Sequence, residues 1–291
     1  MIPQEILKQV RRIELATRKA VNDVMAGEYH SVFKGRGMDF DEVREYQPGD
    51  EVRSIDWNVS ARMGRPYIKR YMEERELTVM LMVDASGSLD FGSGSQMKGK
   101  TAVMICALLA FAAIKNNDQV GLIIFTDEVE LYLPPKKGRK HVLQVIRELL
   151  YFEPRRRGTD IGGALEYMNR VTKRRSVVFL VSDFADEHLY KSLLIANRKH
   201  DLVALRIHDQ REMELPPVGL LELQDAETGE VVMLDTFSAG VRRSFERKAR
   251  ETATGLENLF KRLSIDSVDF ETEEDYVEPL IRFFRRRAQR A

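Results

Sequence analysis

The sequence holds one cysteine and one tryptophan in 291 residues, no surplus of charge of either sign, and no apolar run long enough to cross a bilayer. The single thiol, Cys106 in the run MICALLAF, has no partner for an internal disulfide, which points to a reducing compartment. The same apolar setting raises a thiol pKa and argues against a thiolate nucleophile. The longest apolar stretch, residues 101–114, is bounded by Lys100 and Lys115. A membrane span needs about 20 residues, so this stretch reads as a core helix. The N-terminal MIPQEILKQVRRIELATRK carries charges throughout and lacks the apolar core of a secretory leader. Together these features predict a soluble, cytoplasmic protein.

Lysine and arginine number 46, as do aspartate and glutamate, so the formal net charge is zero. That balance argues against a dedicated nucleic-acid binder, which is usually basic, and against an acidic disordered chain. It conceals local patches. Residues 134–157 hold eight basic and two acidic groups, and this segment leads into the loop carrying Thr159. Residues 266–278 hold seven acidic groups and no basic ones, and an arginine cluster at Arg285–Arg287 follows. That cluster is expected to pair with the acids before it. Contact with acidic lipid at a membrane surface or with nucleic acid is the other use it could have.

Hydrophobic periodicity divides the chain near residue 76. Residues 1–75 read as a helix plus a small β-rich extension, with QPGD and MGRP marking turns and Trp57 as the expected anchor of its core. Arg44, Asp50, Arg53 and Asp56 are candidates for an ion-pair network. From Leu77 onward, continuous apolar runs of strand length (LTVMLMV, QVGLIIF, SVVFLVSD, DLVALRIHD) alternate with helical segments near 100–115, 139–151, 161–172 and 187–199. Strands covered on both faces and alternating with helices imply an α/β, doubly wound, mostly parallel sheet. ELYL reads as an antiparallel edge strand ending at Pro134 and Pro135. Residues 218–236 read as a hairpin turning at Glu227–Gly229. A helix over 240–263, a strand over 265–270 and a helix over 275–288 follow.

In open α/β sheets, ligands bind beyond the carboxyl ends of the strands. The first buried strand ends in DASGS, which contributes Asp84, Ser86 and Ser88. The third ends in Asp183, and Thr159 precedes a helix start. Two carboxylates and three hydroxyls are hard oxygen donors suited to Mg²⁺ or Mn²⁺, whereas zinc would call for histidine or cysteine. With only two formal negative charges facing a dication, the ion stays electrophilic enough to accept a carboxylate from a partner. Arg155, Arg156 and Arg157, just before Thr159, are candidates for steering such an anionic partner.

DASGS, Thr159 and Asp183, in that order and on those elements, resemble the metal-ion-dependent adhesion site (MIDAS) of von Willebrand factor type A domains. The resemblance covers roughly residues 76–291, with the 218–236 hairpin as an insertion. The segment GRGMDFDEVREYQPGDEVRSIDWNVSAR and the hairpin with DAETGE are similar to the bacterial family called domain of unknown function 58. That resemblance implies a non-enzymatic, metal-dependent protein-binding module. Its partner would offer an Asp or Glu carboxylate, with a MoxR-type AAA+ ATPase as the expected partner in assembling or maturing a client complex. Many members of that family carry transmembrane helices; none is found in this sequence.

Three other readings stay open. Gly94 to Thr101, GSQMKGKT, matches the phosphate-loop pattern, in which Lys100 would reach phosphates and Thr101 would hold Mg²⁺ in a nucleotide hydrolase. Some ten residues separate Val83 from Gly94, whereas a phosphate loop starts where its strand ends. Ser86 as a nucleophile would need a base, and DASGS is not the GxSxG elbow. Asp84 could also simply cap a helix, in a metal-free structural variant of the fold.

Overall fold

The computed structural model describes residues 10–15, 17, 29, 39–72, 76–90, 97–186, 189–227 and 229–290. The chain divides into two compact units, one of residues 33–77 and one of residues 1–32 with 78–291. The extension expected over 1–75 therefore begins later than its sequence suggested, because the N-terminal residues are tied to the larger body. The Tyr29 hydroxyl donates to Asp118 Oδ2 at 3.0 Å, and its ring meets Phe284 edge-on at 5.8 Å. Arg139 forks onto the Glu14 carboxylate at 2.6 and 2.7 Å. Of the helix expected over 5–25, residues 10–15 and 17 are helical and the rest lies outside the described residues.

In the smaller unit, β1 (Asp39–Glu45) pairs antiparallel with β2 (Tyr67–Met72). Between them lie a 3-10 turn and α1 (Trp57–Met63), where the sequence had suggested strands. The cause is local. Asp56 accepts hydrogen bonds from the backbone N–H of Asn58 and Val59 at 2.9 and 3.2 Å, an N-cap that satisfies two orphan donors. Gly64 closes the helix at φ 70°, a left-handed conformation that costs glycine nothing. Trp57 is 68% exposed at the first helical position and does not anchor a core. Of the expected ion-pair network, Arg44 and Asp50 form a two-pronged pair at 2.7 and 2.9 Å, while Asp56 serves as the cap.

The larger unit runs β3 (Thr78–Asp84), α2 (Lys98–Lys115), β4 (Gln119–Phe125), β5 (Val129–Lys136), α3 (Arg139–Leu150), α4 (Ile161–Val171), β6 (Val177–Ser182), α5 (Leu189–Lys199), β7 (Asp201–His208) and α6 (Gln210–Met213). A hairpin of β8 (Leu220–Gln224) and β9 (Val231–Asp235) follows, then α7 (Ala239–Leu263), β10 (Asp266–Glu271) and α8 (Val277–Ala288). Six strands form one sheet in the order β10-β7-β6-β3-β4-β5, parallel except for the edge strand β5. Residues of β3, β4 and β6 are buried almost throughout because helices cover both faces, which is why these strands read as unbroken apolar runs. The helix α2 is buried nearly all round between Thr101 and Ala113. Among the described residues no helix is long and apolar enough to cross a membrane.

After β3 the chain moves outward through β4 to β5, then returns to lay β6 on the opposite flank of β3. The carboxyl ends of β3 and β6 therefore flank the point where the winding reverses. Such a switch point leaves a crevice that crossover connections do not fill.

Candidate metal-binding site

Asp84 closes β3 at the switch point and is 2% exposed. Its two oxygens are held separately. The Ser86 backbone N–H donates to Oδ1 at 2.9 Å, and the Ser182 hydroxyl, at the end of β6, donates to Oδ2 at 2.6 Å. Ser182 in turn accepts the Phe184 N–H at 2.9 Å. Burial, with the charge of Asp183 adding to it, pushes the Asp84 carboxyl up to about 6, while the Ser182 bond works against that rise. Among the described residues no lysine or arginine pairs with Asp84. A buried carboxylate in that position favours a cation beside it.

The Ser86 and Ser88 hydroxyls stand 3.0 Å apart in the 3-10 turn that follows β3. The Gly87 N–H donates to the Arg157 carbonyl at 2.9 Å, which brings the Thr159 loop alongside that turn. The loop is pinned further by the Asp160 N–H on the Thr126 carbonyl at 2.9 Å, and Asp160 caps α4 through the Gly163 N–H at 2.8 Å. Thr159 is thus fixed just ahead of a helix start, as its sequence position suggested. Its hydroxyl donates to Glu227 Oε1, on the β8–β9 hairpin, at 2.6 Å. Burial and the charges of Asp183, Asp225 and Asp186 raise the Glu227 carboxyl, against the lowering effect of the Thr159 bond.

Asp183 follows β6 and precedes Phe184, which holds a left-handed φ of 60°. A bulky side chain in that conformation is strained, and it is retained here by burial against Phe260, with ring centroids 5.1 Å apart. The Ala185 N–H donates to Asp183 Oδ1 at 3.3 Å. Lys98, wholly buried at the first turn of α2, reaches Asp183 Oδ2 at 3.1 Å and also pairs with Glu212 on α6.

Asp84 ends β3, and Ser86, Ser88, Thr159 and Asp183 lie on loops near the carboxyl edge of the sheet. Hydrogen bonds link Asp84, Ser86 and Ser88, whereas the Thr159 hydroxyl bonds Glu227 and the Asp183 carboxylate bonds Lys98. Among the described residues, no three side chains of the Asp, Glu, His and Cys types converge tightly enough to hold an ion alone. A cation here would need the hydroxyls of Ser86, Ser88 and Thr159 beside the carboxylates. That all-oxygen set fits Mg²⁺ or Mn²⁺, with Lys98 already neutralising one oxygen of Asp183.

Of the three arginines, Arg156 is engaged with Asp127 and Glu128 at 3.0 and 3.2 Å. Arg155 and Arg157 are exposed, and the Arg155 backbone N–H donates to the Glu130 carboxylate at 2.9 Å. Of the expected cluster, Arg287 pairs with Asp266, the first residue of the acidic stretch, and with Asp201 at the start of β7; Arg290 also pairs with Asp266.

Of the phosphate-loop match, Gly94 to Gln96 lie outside the described residues. A 3-10 turn at Gly87–Asp90 intervenes between the strand and α2. Lys100 and Thr101 lie in the first turn of α2, and the adjoining cavity of about 520 Å³ is lined by Val103, Leu149, Leu150 and Phe152 together with Asp84, Ser86 and Lys100. Ser86 is hydrogen-bonded to Asp84, through its backbone N–H, and to Ser88.

Four residues of the site escaped sequence reading. Ser182 was legible as a lone hydroxyl ending an apolar strand. Lys98 carried no signal, since a lysine at a helix start usually faces solvent. Glu212 and Glu227 are brought in by chain folding far from the motif.

A family model described as "Protein of unknown function DUF58" matches residues 42–255. The chain belongs to that family. Uncharacterized proteins of Mycobacterium tuberculosis (Rv1480) and Mycobacterium bovis (Mb1516) are each 29% identical over 285 residues, covering 97% of this chain and 90% of the relative. Among solved structures, BatB from Bacteroides thetaiotaomicron is similar with 14% identity and a TM-score of 0.48, covering 73% of this chain and 99% of that one. A manganese-loaded TRAP protein of Plasmodium vivax is similar with 18% identity and a TM-score of 0.32, covering 46% of this chain and 57% of that one.

Proposed function

We propose that this DUF58 protein is a divalent-metal-dependent protein-binding module and not an enzyme. The observation that carries the reading is Asp84, a buried carboxylate at the switch point of the sheet, without a cationic partner among the described residues, accepting the Ser182 hydroxyl and the Ser86 N–H, with the Ser86–Ser88 hydroxyl pair following it in the chain. Asp84, Ser86, Ser88, Thr159 and Asp183 would hold Mg²⁺ or Mn²⁺. The ion would supply a Lewis-acidic seat for a carboxylate of a partner protein. The side chains of this protein position that seat: Ser182 and the Ser86 amide fix the two oxygens of Asp84, and the Arg157 carbonyl draws the Thr159 loop inward. Arg155 and Arg157 would attract the acidic partner by long-range attraction. A MoxR-type AAA+ ATPase is the proposed partner, acting with this protein on a client complex in the cytoplasm.

A second reading is favoured by Lys98. Its ammonium group neutralises Asp183 without any metal, as a purely structural variant of the fold would require.

Affinity capture of a co-expressed MoxR-type ATPase, with 5 mM Mg²⁺ or with chelator, tests the function. Retention that needs Mg²⁺ and is lost in Asp84→Ala supports it. Retention indifferent to both, or none at all, overturns it.

A further inference from the structure

The β8–β9 hairpin forms a sheet of its own, hydrogen-bonded to no strand of the six-stranded sheet. Its base is secured. Val218 N–H donates to Thr236 Oγ1 at 2.9 Å, Thr236 N–H donates to the Gly219 carbonyl at 2.8 Å, and Arg242 reaches the Thr236 carbonyl at 2.6 Å. Its tip is a tight turn, in which the Asp225 N–H donates to the Glu230 carbonyl at 2.8 Å and the Glu227 N–H donates to Asp225 Oδ1 at 3.0 Å. From that turn Glu227 extends to the Thr159 hydroxyl.

A second contact fixes the tip independently. Gly87, the glycine within DASGS, does not have a positive φ, so its backbone does not demand glycine. What demands it is space. A Cβ on Gly87 would overlap the Ala226 carbonyl oxygen and lie 3.0 Å from the carbonyl carbon. The hairpin tip therefore rests directly on the turn that carries Ser86 and Ser88, and only glycine permits that approach.

We propose that the hairpin tip is a displaceable internal ligand: Glu227 occupies, within the same chain, the seat that a partner's carboxylate would take, and a partner binds by lifting the tip. This rests on the metal-dependent reading above. The tip lays a carboxylate against the hydroxyl of a proposed donor of the ion, so a cation held there would tighten its seat. The surface is thereby kept from unproductive capture of acidic chains, and selectivity falls to partners that also engage the hairpin. The mechanism is competition between an intramolecular and an intermolecular carboxylate for one position.

The test uses the full chain as wild type, Glu227→Gln and Gly87→Ala, the last setting a methyl against the tip while keeping every proposed donor side chain and Glu227 in the sequence. Mn²⁺ binding is followed by loss of the free-ion spin-resonance signal. Hydrogen exchange reports on residues 220–235, and N-acetylglutamate serves as the carboxylate probe, read by Mn²⁺-induced broadening of its proton lines. The expected result is that Mn²⁺ slows exchange of the tip at least threefold in wild type and not in the variants. Probe broadening is expected to be at least threefold greater in both variants. Mn²⁺ binding with unchanged tip exchange in wild type and equal broadening in all three overturns the internal ligand alone. No Mn²⁺ binding by wild type overturns both this proposal and the metal-dependent reading.

Discussion

The Ser182 hydroxyl donates to Asp84 Oδ2 at 2.6 Å, joining the ends of two adjacent parallel strands across the point where the winding of the sheet reverses. Together with the Ser86 N–H on Oδ1, that bond fixes the orientation of the Asp84 carboxylate. Replacing Ser182 by Ala removes the donor and leaves a buried carboxylate oxygen short of a partner. A loss of about 1–3 kcal/mol in stability is expected, measured by urea denaturation, with a weaker response to Mg²⁺. A variant as stable as wild type would show that the bond does not hold the site.

Lys98 bridges Asp183 and Glu212 from a fully buried position. Lys98→Met keeps the volume and leaves two carboxylates without their cation. A loss of about 3–5 kcal/mol is expected in denaturant unfolding. Added Mg²⁺ should recover part of it, because a dication can replace the missing positive charge. Recovery by Na⁺ at equal ionic strength to the same extent would show screening instead of site binding.

His200 is almost wholly buried, and its Nδ1 accepts the Ser176 N–H at 3.3 Å. Burial, with Lys199 and Arg175 nearby, pushes its pKa down to about 4. The folded state therefore keeps the ring neutral where the unfolded chain protonates it. Between about pH 6.5 and 4 the unfolded state binds more protons, so stability falls as pH drops through that window. Denaturation at pH 7 and pH 5 should show a drop that is smaller in His200→Asn.

Much of the larger unit was legible because two-sided burial leaves an unmistakable pattern. LTVMLMV, QVGLIIF and SVVFLVSD read as strands covered by helices, the Asp84 and Asp183 positions follow from where two of those strands end, and Thr159 from the helix start that follows it. The smaller unit was less legible. RSIDWNVSAR has polar interruptions at strand-like spacing, and the Asp56 cap decided for helix through two hydrogen bonds that no periodicity shows. The tertiary part of the site was illegible for a different reason. Glu227 lies 68 residues from Thr159, and only chain folding brings their side chains together. The burial of Lys98 likewise depends on acids from two distant segments, Asp183 after β6 and Glu212 on α6.

Asp56→Ala tests the local account of the smaller unit. Loss of the cap is expected to cost about 1 kcal/mol and to speed hydrogen exchange in residues 57–63, with little change in β3 or β6. Unchanged exchange in that helix would mean that its surroundings, and not its cap, hold it.

The central claim is that Asp84 helps hold a divalent ion, and calorimetric titration of Mg²⁺ and of Mn²⁺ into wild type and Asp84→Asn tests it most directly. Asparagine keeps the shape and removes the charge, and circular dichroism checks that the variant is folded. The expected result is one saturable site in wild type, with affinity at least tenfold lower in Asp84→Asn. Equal affinity in the two proteins, or no binding by wild type, would contradict the claim and leave Lys98 as the cation of a metal-free fold.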